Sequence, residues 1–171
     1  MKRSHAVAAF ASIFCAFLLL HGSARAMDIS GTVSSTVTIT DNSRLVGDVT
    51  CTVTGAPCIA FGASGLTLDL NGFSLTGLGD PATGCVGTGT PGEFGIDVNA
   101  FNNVIIRGSG LVRQFRNDGI RLNNSTGATV SGVTMSTNCL SGIILIGGSG
   151  HLLENNVSVR NGSPAAPCGG I

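Results

Sequence analysis

The chain has 171 residues, with nine Lys and Arg against nine Asp and Glu and a formal charge of zero. Beyond residue 26 no lysine remains and six arginines stand against nine acids, a formal charge of −3 that argues against nucleic acid, which selects basic surfaces. There is no Trp or Tyr, glycine is abundant at 26 residues, and no long stretch shows a 3.6-residue apolar period, so short strands and turns are favoured over helices.

The first 26 residues read as a secretory leader. Lys2 and Arg3 precede a largely apolar run, and Ala24-Arg25-Ala26 supplies small residues for cleavage before Met27. The run is too short for a membrane span, which needs about 20 residues. Phe14 before Cys15 is too large for a lipoprotein signal, so no lipid anchor and no membrane span are expected after cleavage. The location implied is secreted or periplasmic. Residues 27–50 form an N-terminal strand or capping region, and residues 51–171 a repeat region interrupted by an inserted loop at 78–94.

The repeat shows when each line starts at a Gly-Ile pair. Gly95 begins "GIDVNAFNNVIIRGSGLVRQFRND", Gly119 "GIRLNNSTGATVSGVTMSTNCLS" and Gly142 "GIILIGGSGHLLENNVSVRNGSPAAPCG"; a last pair stands at Gly170. The spacings are 24, 23 and 28 residues. Every line carries a first apolar strand, a polar turn, a second strand, another turn and a third strand. "CIAFGASGLTLDLNGFSLTG", from Cys58, follows the same order. Such a unit cannot bury its apolar face alone, but it can when stacked on its copy at the ~4.8 Å strand spacing. A parallel β-helix of about four coils follows. Ile59/Phe61, Ile96/Val98, Ile120/Leu122 and Ile143/Leu145 are expected to point inward, with Leu70, Ile106, Val130 and Leu153 as a second column. A β-sandwich of hairpins also has short strands and turns, but it would not repeat them in register.

The motifs "GLTLDLNGFSLTG", "NVIIRGSG", the recurring Gly-Ile-x-Leu and "LLENNVSV" resemble the right-handed parallel β-helix proteins of the pectin-lyase-like superfamily, of the bacterial secreted type, over about residues 45–171. The resemblance implies a fold rather than an activity, because the superfamily spans lyases, hydrolases, epimerases, adhesins and proteins with no known activity. It also implies that any polysaccharide would lie along the outside of the first sheet. The outward positions there are Ala60, Asp97, Arg121 and Ile144, flanked by Asn99 and Asn123. As a groove, Asp97, Arg121, Asn99 and Asn123 would contact sugar. A lyase would use Arg as base and an acid cluster to hold Ca²⁺, the one cofactor in question and only on that reading. The simpler reading is a cross-strand ion pair, worth about 0.2–1 kcal/mol. One Asp makes no calcium site, and the pattern shows no second carboxylate on this face for hydrolysis.

Five cysteines follow the leader: 51, 58, 85, 139 and 168. An exported chain can oxidise them. Cys139 and Cys168 both precede a Gly-Ile pair and are expected to bond across stacked coils; Cys51 and Cys58 flank a corner and would close a small loop; Cys85 is left over. No CxxC spacing marks a zinc site, and no metal is expected. His151 is a lone histidine, Asn138 and Asn161 repeat at matching corners, and Arg107, Arg113 and Arg116 cluster in sequence. The last strand has just begun at Ile171, which suggests a fragment. Two functions are open: a non-catalytic secreted scaffold that binds glycans or partners, or the N-terminal part of a lyase or glycoside hydrolase acting on acidic polysaccharide.

Overall fold

The computed structural model describes residues 26–83, 85 and 92–163. The segment read as a leader, apart from Ala26, the body of the inserted loop, Cys168 and the last Gly-Ile pair lie outside the described residues. The fold is all-β: two parallel sheets, one of them strongly curled, wind as a solenoid consistent with a β-helix. Among the described residues one single-turn 3₁₀ helix occurs, at Pro81–Thr83.

Fifteen strands are described. They are β1 (Met27–Val33), β2 (Val37–Ile39), β3 (Ser43–Cys51), β4 (Ile59–Phe61), β5 (Thr67–Asp69), β6 (Ser74–Thr76), β7 (Ile96–Asn99), β8 (Ile105–Arg107), β9 (Leu111–Arg113), β10 (Ile120–Asn123), β11 (Thr129–Ser131), β12 (Thr134–Ser136), β13 (Ile143–Ile146), β14 (Leu152–Glu154) and β15 (Val157–Val159). The first strand of each rung enters a five-stranded sheet ordered β13-β10-β7-β4-β2. The second and third strands enter the curled sheet, ordered β14-β11-β8-β5-β3-β6-β9-β12-β15, with β1 laid on β3.

Strand β3 explains why second and third strands share one sheet. It runs unbroken for nine residues and pairs with β5 at Ser43 and Arg44 and with β6 at Val49 and Thr50. In the next rung the same path is cut by Asn71-Gly72, both in the left-handed region at φ 49° and 84°. Asn and Gly are the residues that tolerate this conformation. Phe73 N–H donates to Leu70 O at 2.8 Å to close the turn. It makes no hairpin: β5 pairs with β8 and β6 with β9, each one rung along.

The core is a set of stacked aliphatic columns. Ile59, Ile96, Ile120 and Ile143 are in register through the first sheet and essentially fully buried. Fully burying such a side chain contributes about 1.5–3 kcal/mol. The second column differs from the expectation by one alternate position. Leu68, not Leu70, lies in register with Ile106, which continues to Val130 and Leu153. Leu70 is also buried, but it begins the Asn-Gly turn and packs where Gly110 comes close. Leu145, expected inward, is 39 % exposed because β13 is the edge strand of its sheet among the described residues.

Gly95 and Gly119, which open two of the Gly-Ile pairs, are fixed by the approach of the next rung. A Cβ on Gly95 would meet Gly119 O at 2.5 Å, and one on Gly119 would meet Gly142 O and Asn138 Nδ2 at 2.8 Å each. The repeat marker is thus a packing requirement, with no unusual backbone angle at either position.

Candidate functional site

Strands β7 and β10 carry Asp97 and Arg121 on the outer face of the first sheet, directly opposite each other in register. Parallel pairing places Ala60, Asp97, Arg121 and Ile144 in one outward column, and Asn99, Asn123 and Ile146 in a second. The Arg121 guanidinium donates twice to Asp97, Nε to Oδ1 at 2.7 Å and Nη2 to Oδ2 at 2.8 Å. The Phe94 ring stacks under the same guanidinium, 4.0 Å from Cζ to the ring centroid. The side chains are only 9 % exposed for Asp97 and 22 % for Arg121, so the pair is largely withdrawn from water. Beside it, Asn123 Nδ2 donates to Asn99 Oδ1 at 2.8 Å, and Asn99 is exposed.

Three features of this neighbourhood are not evident from the strand pattern. Phe94 and Glu93 come from the end of the inserted loop. Glu93 is buried, accepts the Gly55 N–H at 2.9 Å and pairs with Arg116 at 3.1 Å, which ties the loop end to two corners. Asp118 is buried one residue before the Gly-Ile pair, where its Oδ1 accepts the Ser141 N–H at 2.8 Å. Burial pushes the Asp118 carboxyl above its ordinary value, against the Ser141 hydrogen bonds and the Arg121 charge. Alternation could not reveal these residues, because they lie in corners. The Glu-Phe-Gly-Ile and Asn-Asp-Gly-Ile runs, aligned on the repeat, are the signal that pairs them.

This arrangement offers little chemistry. Both inner guanidinium donors of Arg121 are spent on Asp97, so Arg121 is not poised as a base. Asp118 is a second carboxylate that feels the Arg121 charge, but it is 3 % exposed and hydrogen-bonded to the backbone. A small cavity between Cys51, Val53, Glu93, Phe94 and Arg116 has room for about one water molecule. Among the described residues no group of three or more His, Cys, Asp or Glu could hold a metal ion.

The remaining candidates have structural partners. Arg107 pairs with Asp69 at 3.0 Å, Arg113 donates to Thr76 at 3.1 Å and Arg116 pairs with Glu93, so the three do not form one basic patch. His151 Nδ1 accepts the Ala128 N–H at 3.3 Å. Asn138 is fully buried and stacked on Asn161.

The disulfide expectation holds for one pair and needs correction for the other. Cys51 and Cys58 are bonded, with Cα atoms 6.0 Å apart. Cys139 bonds not to Cys168 but to Cys85, with Cα atoms 5.7 Å apart, and so fastens the inserted loop to a later rung. The register gives the reason. Gly162 N–H donates to Asn138 O, which puts Gly162 in the place beneath Cys139. Disulfides are compatible with an extracellular location. Among the described residues no helix is long and apolar enough to cross a membrane.

Comparison with protein-family models, with curated proteins and with solved structures found no match to this chain.

Proposed function

We propose that the chain is a secreted, non-catalytic scaffold: a right-handed parallel β-helix of the pectin-lyase-like kind, exported by its leader, whose outer sheet face binds glycans or protein partners. The observation that carries this reading is the closed Asp97–Arg121 pair. The two groups best placed for chemistry on the first sheet satisfy one another and are capped by Phe94. A lyase base or a hydrolytic carboxylate must instead keep a free valence toward substrate. The test is a depolymerisation screen of the exported chain on polygalacturonate, alginate and neutral glucans, with and without Ca²⁺. No new reducing ends and no unsaturated product are expected. Turnover that disappears in Asp97→Asn would overturn the scaffold reading and favour the lyase or hydrolase alternative.

A further inference from the structure

We infer that the ligand of the outer first-sheet face is a neutral, polyhydroxylated chain rather than an acidic one, and that it is held on an amide ledge formed by Asn99 and Asn123 beside Ile146. This inference rests on the glycan-binding reading above and sharpens it. Asn123 Nδ2 donates to Asn99 Oδ1 at 2.8 Å, and the Asn99 amide hydrogens and the Asn123 carbonyl oxygen have no partner among the described residues.

The ledge therefore presents donors and an acceptor side by side with no net charge. A vicinal diol, which both donates and accepts, is the matching chemistry. A uronate chain needs a free cation, and the guanidinium on this face is already neutralised by Asp97 through two hydrogen bonds. The acidic balance of residues 27–171 adds repulsion rather than attraction for a polyanion. The next rung along the second outward column brings Ile146, 44 % exposed, in register with Asn123. Its apolar surface suits the C–H face of a sugar ring whose hydroxyl edge lies on the amides.

The experiment is native affinity electrophoresis of the exported chain in gels containing a soluble neutral β-glucan, a galactomannan, polygalacturonate or alginate, at low and moderate salt. Retardation by at least one neutral polymer and by neither uronate is expected, insensitive to salt. The double substitution Asn99→Ala with Asn123→Ala, folded as judged by an unchanged melting curve, is expected to weaken that retardation at least tenfold. Retardation by uronates alone would overturn the neutral class while leaving glycan binding intact. Retardation by no polymer would overturn the glycan reading itself. Neutral binding that survives the double substitution would overturn the ledge.

Discussion

Asn161 lies one rung below Asn138, and its Oδ1 accepts both the backbone N–H of Asn138 at 3.0 Å and the side-chain Nδ2 at 2.9 Å. Asn138 in turn accepts the Phe115 N–H at 3.1 Å and donates to Val112 O at 3.3 Å. Two amides thus satisfy the backbone of a corner that no strand ladder reaches. Asn138→Leu keeps the backbone N–H bond to Asn161 but removes the three side-chain bonds and leaves their buried partners unpaired, at about 1–3 kcal/mol each. Urea unfolding should show a loss of about 2–4 kcal/mol; an unchanged midpoint would refute the role.

The Gly-Ile marker makes a second prediction. Gly119→Ala places a methyl group against Gly142 O and Asn138 Nδ2, both 2.8 Å away. Backbone on one side cannot yield cheaply, so a loss of about 1–3 kcal/mol is expected in thermal or urea unfolding.

The Asp97–Arg121 pair can be weighed by a double-mutant cycle. Arg121→Gln strands a carboxylate that is 9 % exposed, and Asp97→Asn leaves a guanidinium that keeps Phe94. Arg121→Gln is expected to cost more than Asp97→Asn, about 1–3 kcal/mol after discounting for the exposed part of Arg121. The double variant should recover part of that loss. Strict additivity in urea unfolding would show that the pair is not coupled.

Asp118 gives a pH prediction. Burial raises its folded-state pKa, so the folded chain binds the proton more tightly than the unfolded chain. The associated stability is fully present below the ordinary carboxylate range and is lost as pH rises through the raised value. Asp48 works in the opposite direction: the N–H and hydroxyl of Ser74 lower its pKa, so its contribution is lost as pH falls. Asp118→Asn keeps an acceptor for the Ser141 N–H and removes the titration. The stability of Asp118→Asn relative to wild type should therefore rise between pH 4 and pH 7. A difference that stays flat across that range would refute the assignment.

Peptide mapping without reduction should recover Cys85 linked to Cys139 and Cys51 linked to Cys58. The first link closes a segment 54 residues long. Cys85→Ser with Cys139→Ser should cost about 2–4 kcal/mol, against less for the pair separated by seven residues.

Much of this fold could be read from period alone. Gly-Ile recurrence placed Ile96, Ile120 and Ile143 in one column because strands alternate and rungs repeat, and Arg121 fell opposite Asp97 for the same reason. What could not be read lay in corners and insertions. Leu68 and Leu70 are both apolar and both inward by alternation, and only the Asn-Gly turn decides which one enters the ladder. Cys85 has no repeat partner, so its bond to Cys139 depends on a loop path that spacing does not encode. Phe94 reaches Arg121 from that loop, so the closure of the ion pair was equally hidden.

The inserted loop has a further consequence. Thr76 and Arg113 meet across one rung although 37 residues separate them, whereas Asp97 and Arg121 meet across the next with 24. Neighbouring layers thus keep their alignment whatever length of chain is spent between them at this one bend. Added chain there can leave the layers on either side in place only while Cys85 keeps its bond to Cys139 and Glu93 and Phe94 keep their contacts with Arg116 and Arg121.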